Sequence, residues 1–276
     1  MSVVTSRMND VYGLHWKHMR CIESGSRGAI TQGLVSQSTR YFFVVLALFG
    51  ALIALITFVP VYAKFQAGTF PIAPLLHIHG ALMGAWIALF VAQAVLASTG
   101  RLALHRKLGG TFGIVLGFAV WASMIVVELR AMLVHPLDPD LSAGYDWMLP
   151  GIYVYATFPV FFIGAIYLRR RRPAWHKRFM AFATFVALQA AEQRNLWLPR
   201  FAPGYWTDVI YLDICLLVPL IAYDYVLAKR LHPATVAASC VLLGAQGVLL
   251  SVWGSPAWRH MAYGFAVALR SNFISP

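Results

Sequence analysis

The sequence predicts an all-α fold, a polytopic membrane helix bundle of seven transmembrane helices with a cytoplasmic N-terminus and the C-terminus outside. Three observations carry that expectation. The 276 residues are 60% hydrophobic. Only 12% are charged, about half the share of a soluble globular domain, which leaves too little polar surface to face water. Apolar residues also gather in runs of the length needed to cross the hydrocarbon core, about 20 residues of helix, with the cations collected in the short segments between them.

Residues 1–40 are polar, rich in Ser and Gly, and without sustained periodicity. They read as a flexible cytoplasmic tail, or as an extension ahead of a start at Met8 or Met19. The membrane domain is expected over 41–253, with spans at 41–63, 72–97, 108–129, 149–168, 179–198, 205–228 and 234–253. The first span is too long and too far from the start for a cleaved signal peptide, although Val61-Tyr62-Ala63 has the small-residue pattern of a cleavage site. The second and third carry small residues every four positions: Gly80, Gly84, Ala88 and Ala92, then Gly109, Gly113 and Gly117. Such ridges let backbones approach where lipid offers no hydrophobic drive for association. The fifth, weaker because of Glu192, Arg194 and Asn195, repeats the device with Ala183, Ala187 and Ala191. Helices 2, 3 and 5 are therefore expected at the tight centre. Pro219 should kink the sixth. Residues 254–276 form an interfacial C-terminal segment, in which 257–270 is too short to cross and Trp258 serves as an anchor.

Orientation follows from the cations. Sixteen of the 22 Lys and Arg residues fall in the N-terminal tail and the even-numbered loops, against six on the other side, which places the N-terminus inside. The formal charge of +12 is thus distributed as a topology determinant, and its partners are the lipid bilayer and anionic headgroups at the cytoplasmic face. Nucleic acid is excluded as a partner, since no basic soluble domain accompanies the charge. Three scattered cysteines make no disulfide framework.

Three helices open alike on the cytoplasmic side, preceded by Leu104-His105-Arg106-Lys107, Trp175-His176-Lys177-Arg178 and Arg230-Leu231-His232-Pro233. If these starts cluster, helix N-termini and cations converge on a patch suited to an anion. Set against that reading, basic residues at helix ends also serve topology and snorkel to headgroups. His77 and His79 resemble a metal clip, but positions i and i+2 of a helix do not face each other, so they should serve different roles and no metal site is expected. His77 falls on the Gly84/Ala88 ridge, and His79 shares a face with Trp86 and Gln93. Ionisable residues within a span are functional candidates by default. Glu128, Glu192, Arg194 and Asp213 lie in outer halves of helices, and a Glu128–Arg194 pair near His77 is expected as a polar intramembrane network. Asp224, on one face with Asp213, is expected as counter-charge to the cytoplasmic basic patch.

No Walker loop, Rossmann fingerprint, HExxH or nucleophile elbow is present. The string His77-Ile78-His79-Gly80, then Trp86 and Gln93, then His105-Arg106-Lys107-Leu108-Gly109, resembles a family of bacterial multi-pass membrane proteins of unknown function. Arg172 to Met180 and Arg230 to Thr235 are similar to later parts of that family, so the resemblance covers roughly 41–260. It implies a multi-pass protein of the bacterial cytoplasmic (inner) membrane and is nearly silent about activity. A weaker likeness is to cytochrome b561-type proteins, which hold b haems between histidines of neighbouring helices. It implies a single cytoplasmic-side site here, with His105, His176 and His232 as candidates for haem b, or for an anionic cofactor as the helix starts suggest; His79, on the outer side, is a further cofactor-binding candidate. The rival expectation is a transporter, or an accessory subunit assembling with a membrane complex, using the intramembrane network.

Overall fold

The computed structural model describes residues 40–69, 72–137, 145–189 and 205–273. The chain divides into two units, residues 1–42 and 43–276. The described part of the first is the opening of α1, and the second holds everything discussed below. The described residues are helical, with no strand among them: α1 (Arg40–Gln66), α2 (Pro74–Ser98), α3 (Leu102–Val134), α4 (Met148–Leu168), α5 (Pro173–Ala187), α6 (Tyr205–Ala228), α7 (Pro233–Val252) and α8 (Pro256–Phe273). Four of the eight begin on proline, whose missing N–H costs nothing in a first turn and whose fixed φ suits the helix.

Five helices, α1, α2, α3, α4 and α7, are long and apolar enough to cross a membrane. Of the seven expected spans, α5 is described over 15 residues and α6 carries Asp208, Asp213 and Asp224 within its length. The apolar faces point outward as well as inward. Val45, Val115 and Val248 are 63%, 64% and 65% exposed, a surface that water would not tolerate over so many helices.

Two helices, α3 and α5, begin several residues earlier than the hydropathy boundaries placed them. Residues 102–107 and 173–178 already belong to α3 and α5, so His105 and His176 lie inside first turns and not ahead of them. Hydropathy marks where the hydrocarbon starts, whereas a helix continues through the polar layer as long as its backbone bonds are made. Gly100, with φ of +80°, makes the tight turn between α2 and α3.

Side-chain packing departs from the small-residue expectation on α2. Gly80, Gly84 and Ala88 are exposed, and a side-chain carbon at either glycine would meet open space. The packing face of α2 is the large one: Trp86 meets the rings of Phe158 and Phe162 edge-on at 5.6 and 5.5 Å, and Leu89 sits over Gly113. The ridge of α3 is buried, because Gly117 leaves the room that the Phe162 ring fills. Ala183 and Ala187 of α5 are buried too, while Ala191 lies outside the described residues. The most extensive packing joins α4 to α5, with Phe158, Phe161, Phe182, Ala165, Ala181 and Ala183 all fully buried. α1 contributes Gly50, which faces Leu188 and Phe185 of the α5 end.

Pro159 within α4 has no N–H to give the carbonyl of Tyr155, and Trp121 of α3 takes its place, its indole N–H donating to that oxygen at 2.7 Å. α8 lies at the end of the bundle where α3 finishes. Arg259 donates twice to Asp146 at 3.2 and 2.6 Å, and Arg270 reaches the Met132 carbonyl at 3.2 Å. Trp258 does not anchor to lipid as expected: it is buried, and its indole N–H donates to the Tyr145 carbonyl at 3.2 Å.

Candidate functional site: a histidine pair at the basic end

The three turns α2–α3, α4–α5 and α6–α7 meet at one end of the bundle, the end that carries Arg101, Arg106, Lys107, Arg169 to Arg172, Lys177, Arg178, Lys229 and Arg230. His105 and His176 face each other across two of these turns, with ring centres 6.3 Å apart and planes nearly perpendicular at 86°. Each Nδ1 is directed to a main-chain carbonyl of the preceding helix, His105 to Gln93 at 3.2 Å and His176 to Ala165 at 2.9 Å. For His176 that arrangement puts the proton on Nδ1 and the lone pair on Nε2; at His105 the Gln93 amide NH2 also lies 2.5 Å from Nδ1, so the carbonyl and the amide favour opposite tautomers. A metal-ligating histidine has a carbonyl of this kind as outer partner, which fixes its tautomer and orientation.

The spacing can be compared with what a metal would require. Two imidazoles bound through Nε2 on opposite sides of one ion have ring centres about 6 Å apart, from bonds of about 2 Å and ~1 Å between each nitrogen and its ring centre. The observed 6.3 Å between centres is close to that figure, and His105 and His176 are the residues that would hold such a group. Both rings are half-buried, with Arg101, Arg106, Lys107 and Arg170 to Arg172 exposed around them as partners for propionates.

Gln93 of α2 joins this site. Its hydrogen-bond partners orient the amide: the NH2 donates to the His105 carbonyl at 3.1 Å and the oxygen accepts from the Gly109 N–H at 3.1 Å. It thus bridges both polar groups of one rung of α3, just where the helix widens into a π turn at Leu108–Phe112. A Cβ at Gly109 would stand 3.2 Å from the amide, which would have to give by a few tenths of an ångström.

His232 is placed differently. It caps α7, its Nδ1 accepting from the Ala234 N–H at 3.0 Å, and its ring meets Trp175 at 6.3 Å, beside the pair and not in it. The third helix start is therefore already occupied. Asp224 of α6 accepts from the His232 N–H at 3.0 Å and from the Thr235 hydroxyl, and it pairs with Arg178. Arg178 also donates to Thr235 at 3.1 Å and to the Ala174 carbonyl at 3.0 Å. Arg178 and Asp224 are 3% and 2% exposed, so Asp224 is the counter-charge expected of it, buried and internal. Burial, with Arg178 and Lys177 nearby, holds the His232 imidazole below the usual histidine range. A cavity of about 230 Å³ opens beside this cluster, lined by Arg178, Asp224, Arg230 and His232 among others.

The remaining candidates lie toward the other end. His77 packs on the Phe65 ring of α1 at 4.6 Å, whereas His79 donates to Ser123 of α3 at 2.9 Å, so the two histidines serve different helices. Ser123 in turn gives its own proton to the Val120 carbonyl at 2.7 Å, which leaves its oxygen as acceptor. Glu128 fills the space left by Gly151 of α4, and its Oε1 has no hydrogen-bond partner among the described residues. Asp213 is bridged to Tyr153 by Gln246, which stands 3.2 Å from each. Glu192 and Arg194 lie outside the described residues, and with them the expected pair to Glu128.

Sequence reading did not single out Thr235, Gln246, Tyr153 or Gly151. The first two announce themselves only as polar residues within an apolar run, and Gly151 only as a glycine opposite a carboxylate. Gln93 was visible as part of the motif, without its role. No family model, curated protein or solved structure matches the chain.

Proposed function

We propose that the chain is a seven-span protein of the bacterial inner membrane, N-terminus inside, that binds haem b between His105 and His176 as a membrane redox protein. The observation that carries this reading is the pair itself: ring centres 6.3 Å apart, with the His176 Nδ1 on the Ala165 carbonyl and the His105 Nδ1 in reach of the Gln93 carbonyl. A bound haem would supply one-electron exchange. The chain's own residues do the rest. Ala165 sets the His176 tautomer, Gln93 holds the His105 ring, and exposed Arg and Lys residues at the same end meet the anionic edge of the cofactor. The same cations support the orientation, because three of the short turns that join the helices carry them on one side. His232 has a supporting place, since its Nδ1 already caps α7.

A second reading, a transporter or an accessory subunit of a membrane complex, draws on Glu128, whose Oε1 is buried and unpartnered among the described residues. The optical spectrum of the detergent-purified protein separates the two. A Soret band that shifts on reduction supports the haem reading. A colourless preparation from haem-replete cells rejects it and leaves the second.

A further inference from the structure

We propose that Gln93 is the positioning residue for His105, a device that rests on the haem reading above and sets whether the His105 Nε2 can accept the ligand. Three observations converge on it. First, the amide holds both polar groups of the His105–Gly109 rung, at 3.1 Å each, from a neighbouring helix. Second, that rung adjoins the π turn at Leu108–Phe112, where the Gly113 N–H reaches back five residues to the Leu108 carbonyl. A π turn takes in one extra residue, so everything ahead of it is rotated by about 100° relative to a regular α-helix. Beyond the turn α3 is held by Leu89 over Gly113, Phe162 against Gly117 and His79 on Ser123. The direction of His105 therefore depends on the π turn, and Gln93 is the side chain that pins it.

Third, Gln93 meets His105 Nδ1 with both kinds of partner. Its main-chain carbonyl, 3.2 Å away, takes the proton when Nδ1 carries one. Its side-chain NH2, also in reach, donates when Nδ1 is bare. The ring thus keeps a hydrogen bond in either tautomer. A ligand at Nε2 would require the first, and the amide NH2, which stands 2.5 Å from Nδ1, would then have to draw back onto the His105 carbonyl. A glutamine serves here where a glutamate would not, because its NH2 can donate to the His105 carbonyl, which also takes the Leu108 N–H, while its oxygen accepts from the Gly109 N–H.

The test uses Q93M, which keeps length and apolar volume but removes both polar atoms, and G109A, whose added Cβ pushes on the amide from the other side. Two quantities are read on the full-length protein in detergent. One is haemin affinity by titration. The other is the 15N imidazole spectrum of the haem-free protein, with H105A identifying the His105 signals. Removing an outer partner of a ligating histidine is expected to weaken haemin binding about 10–100-fold. The His105 signals should move in both variants while those of His176 stay. If Q93M binds haemin like the parent, or if the His105 signals are the same in parent and variants, the positioning role is overturned. If the parent binds no haemin yet the His105 signals move in Q93M, the haem reading fails and the positioning of the ring stands. Should Q93M not accumulate, the same two readings on G109A decide the matter.

Discussion

Three groups meet on the Asp224 carboxylate: the Arg178 guanidinium, the Thr235 hydroxyl and the His232 N–H at the start of α7. Taking two charges from water is unfavourable, and the arrangement holds only because each polar atom is matched. D224A leaves a guanidinium that is 3% exposed without its counter-charge, and should cost about 3–5 kcal/mol, read as a lowered unfolding midpoint in detergent. Replacing both partners together, R178M with D224L, should recover much of that loss. A second consequence concerns His232. Its pKa is lowered in the folded protein, so the folded state favours the neutral ring that caps α7. Stability is then fully present above the unfolded value of about 6.5 and is lost as the pH falls below it. Asn also caps a helix and does not titrate, so H232N should lose less of its melting temperature than the parent between pH 7.5 and pH 5. Equal acid losses in the two would mean that the cap does not titrate in this range.

Helices pack here through large side chains entering small-residue gaps, which explains what sequence patterning could and could not tell. Spacing of four marks a ridge on α2 and on α3 alike, but a ridge is an interface only if a partner reaches it. On α3 the Phe162 ring does so at Gly117, and on α2 nothing meets Gly84. The difference lies with Trp86, which turns the opposite face of α2 toward α4, and a single sequence does not reveal which face a tryptophan wins. G117A should therefore lower the yield and melting temperature of the purified protein, since even one methyl overlaps the ring, while G84A should leave both unchanged. Equal effects would contradict the assignment of Gly117 to the α3–α4 contact and of Gly84 to an open face. Helix starts were misread for a related reason. Pro173 and the turn before Leu102 set the true beginnings, several residues ahead of where the apolar runs start.

The bundle as a whole was legible as a class and partly as a layout. All-helical membrane character was legible in composition and apolar runs; of the seven spans expected, five described helices are long and apolar enough to cross a membrane. The similar openings before three helices, visible as His105, His176 and His232 with adjacent cations, correspond to turns that meet at one end. Pro233, which leaves the α7 start one donor fewer, already set His232 apart in the sequence, but not how each ring is placed. His105 and His176 pair because both turn Nδ1 back toward a carbonyl, whereas His232 turns its Nδ1 onto its own helix. Such a distinction depends on ring rotamers, which leave no trace in spacing. The account's central claim is that the first two form one ligand site and the third does not. It is tested most directly by haem content per inserted chain in the parent, H105A, H176A and H232A, compared at equal protein. The account predicts pigment in the parent, its loss in H105A and in H176A alike, and its retention in large part in H232A. Equal content in all four, or loss confined to H232A, would contradict it.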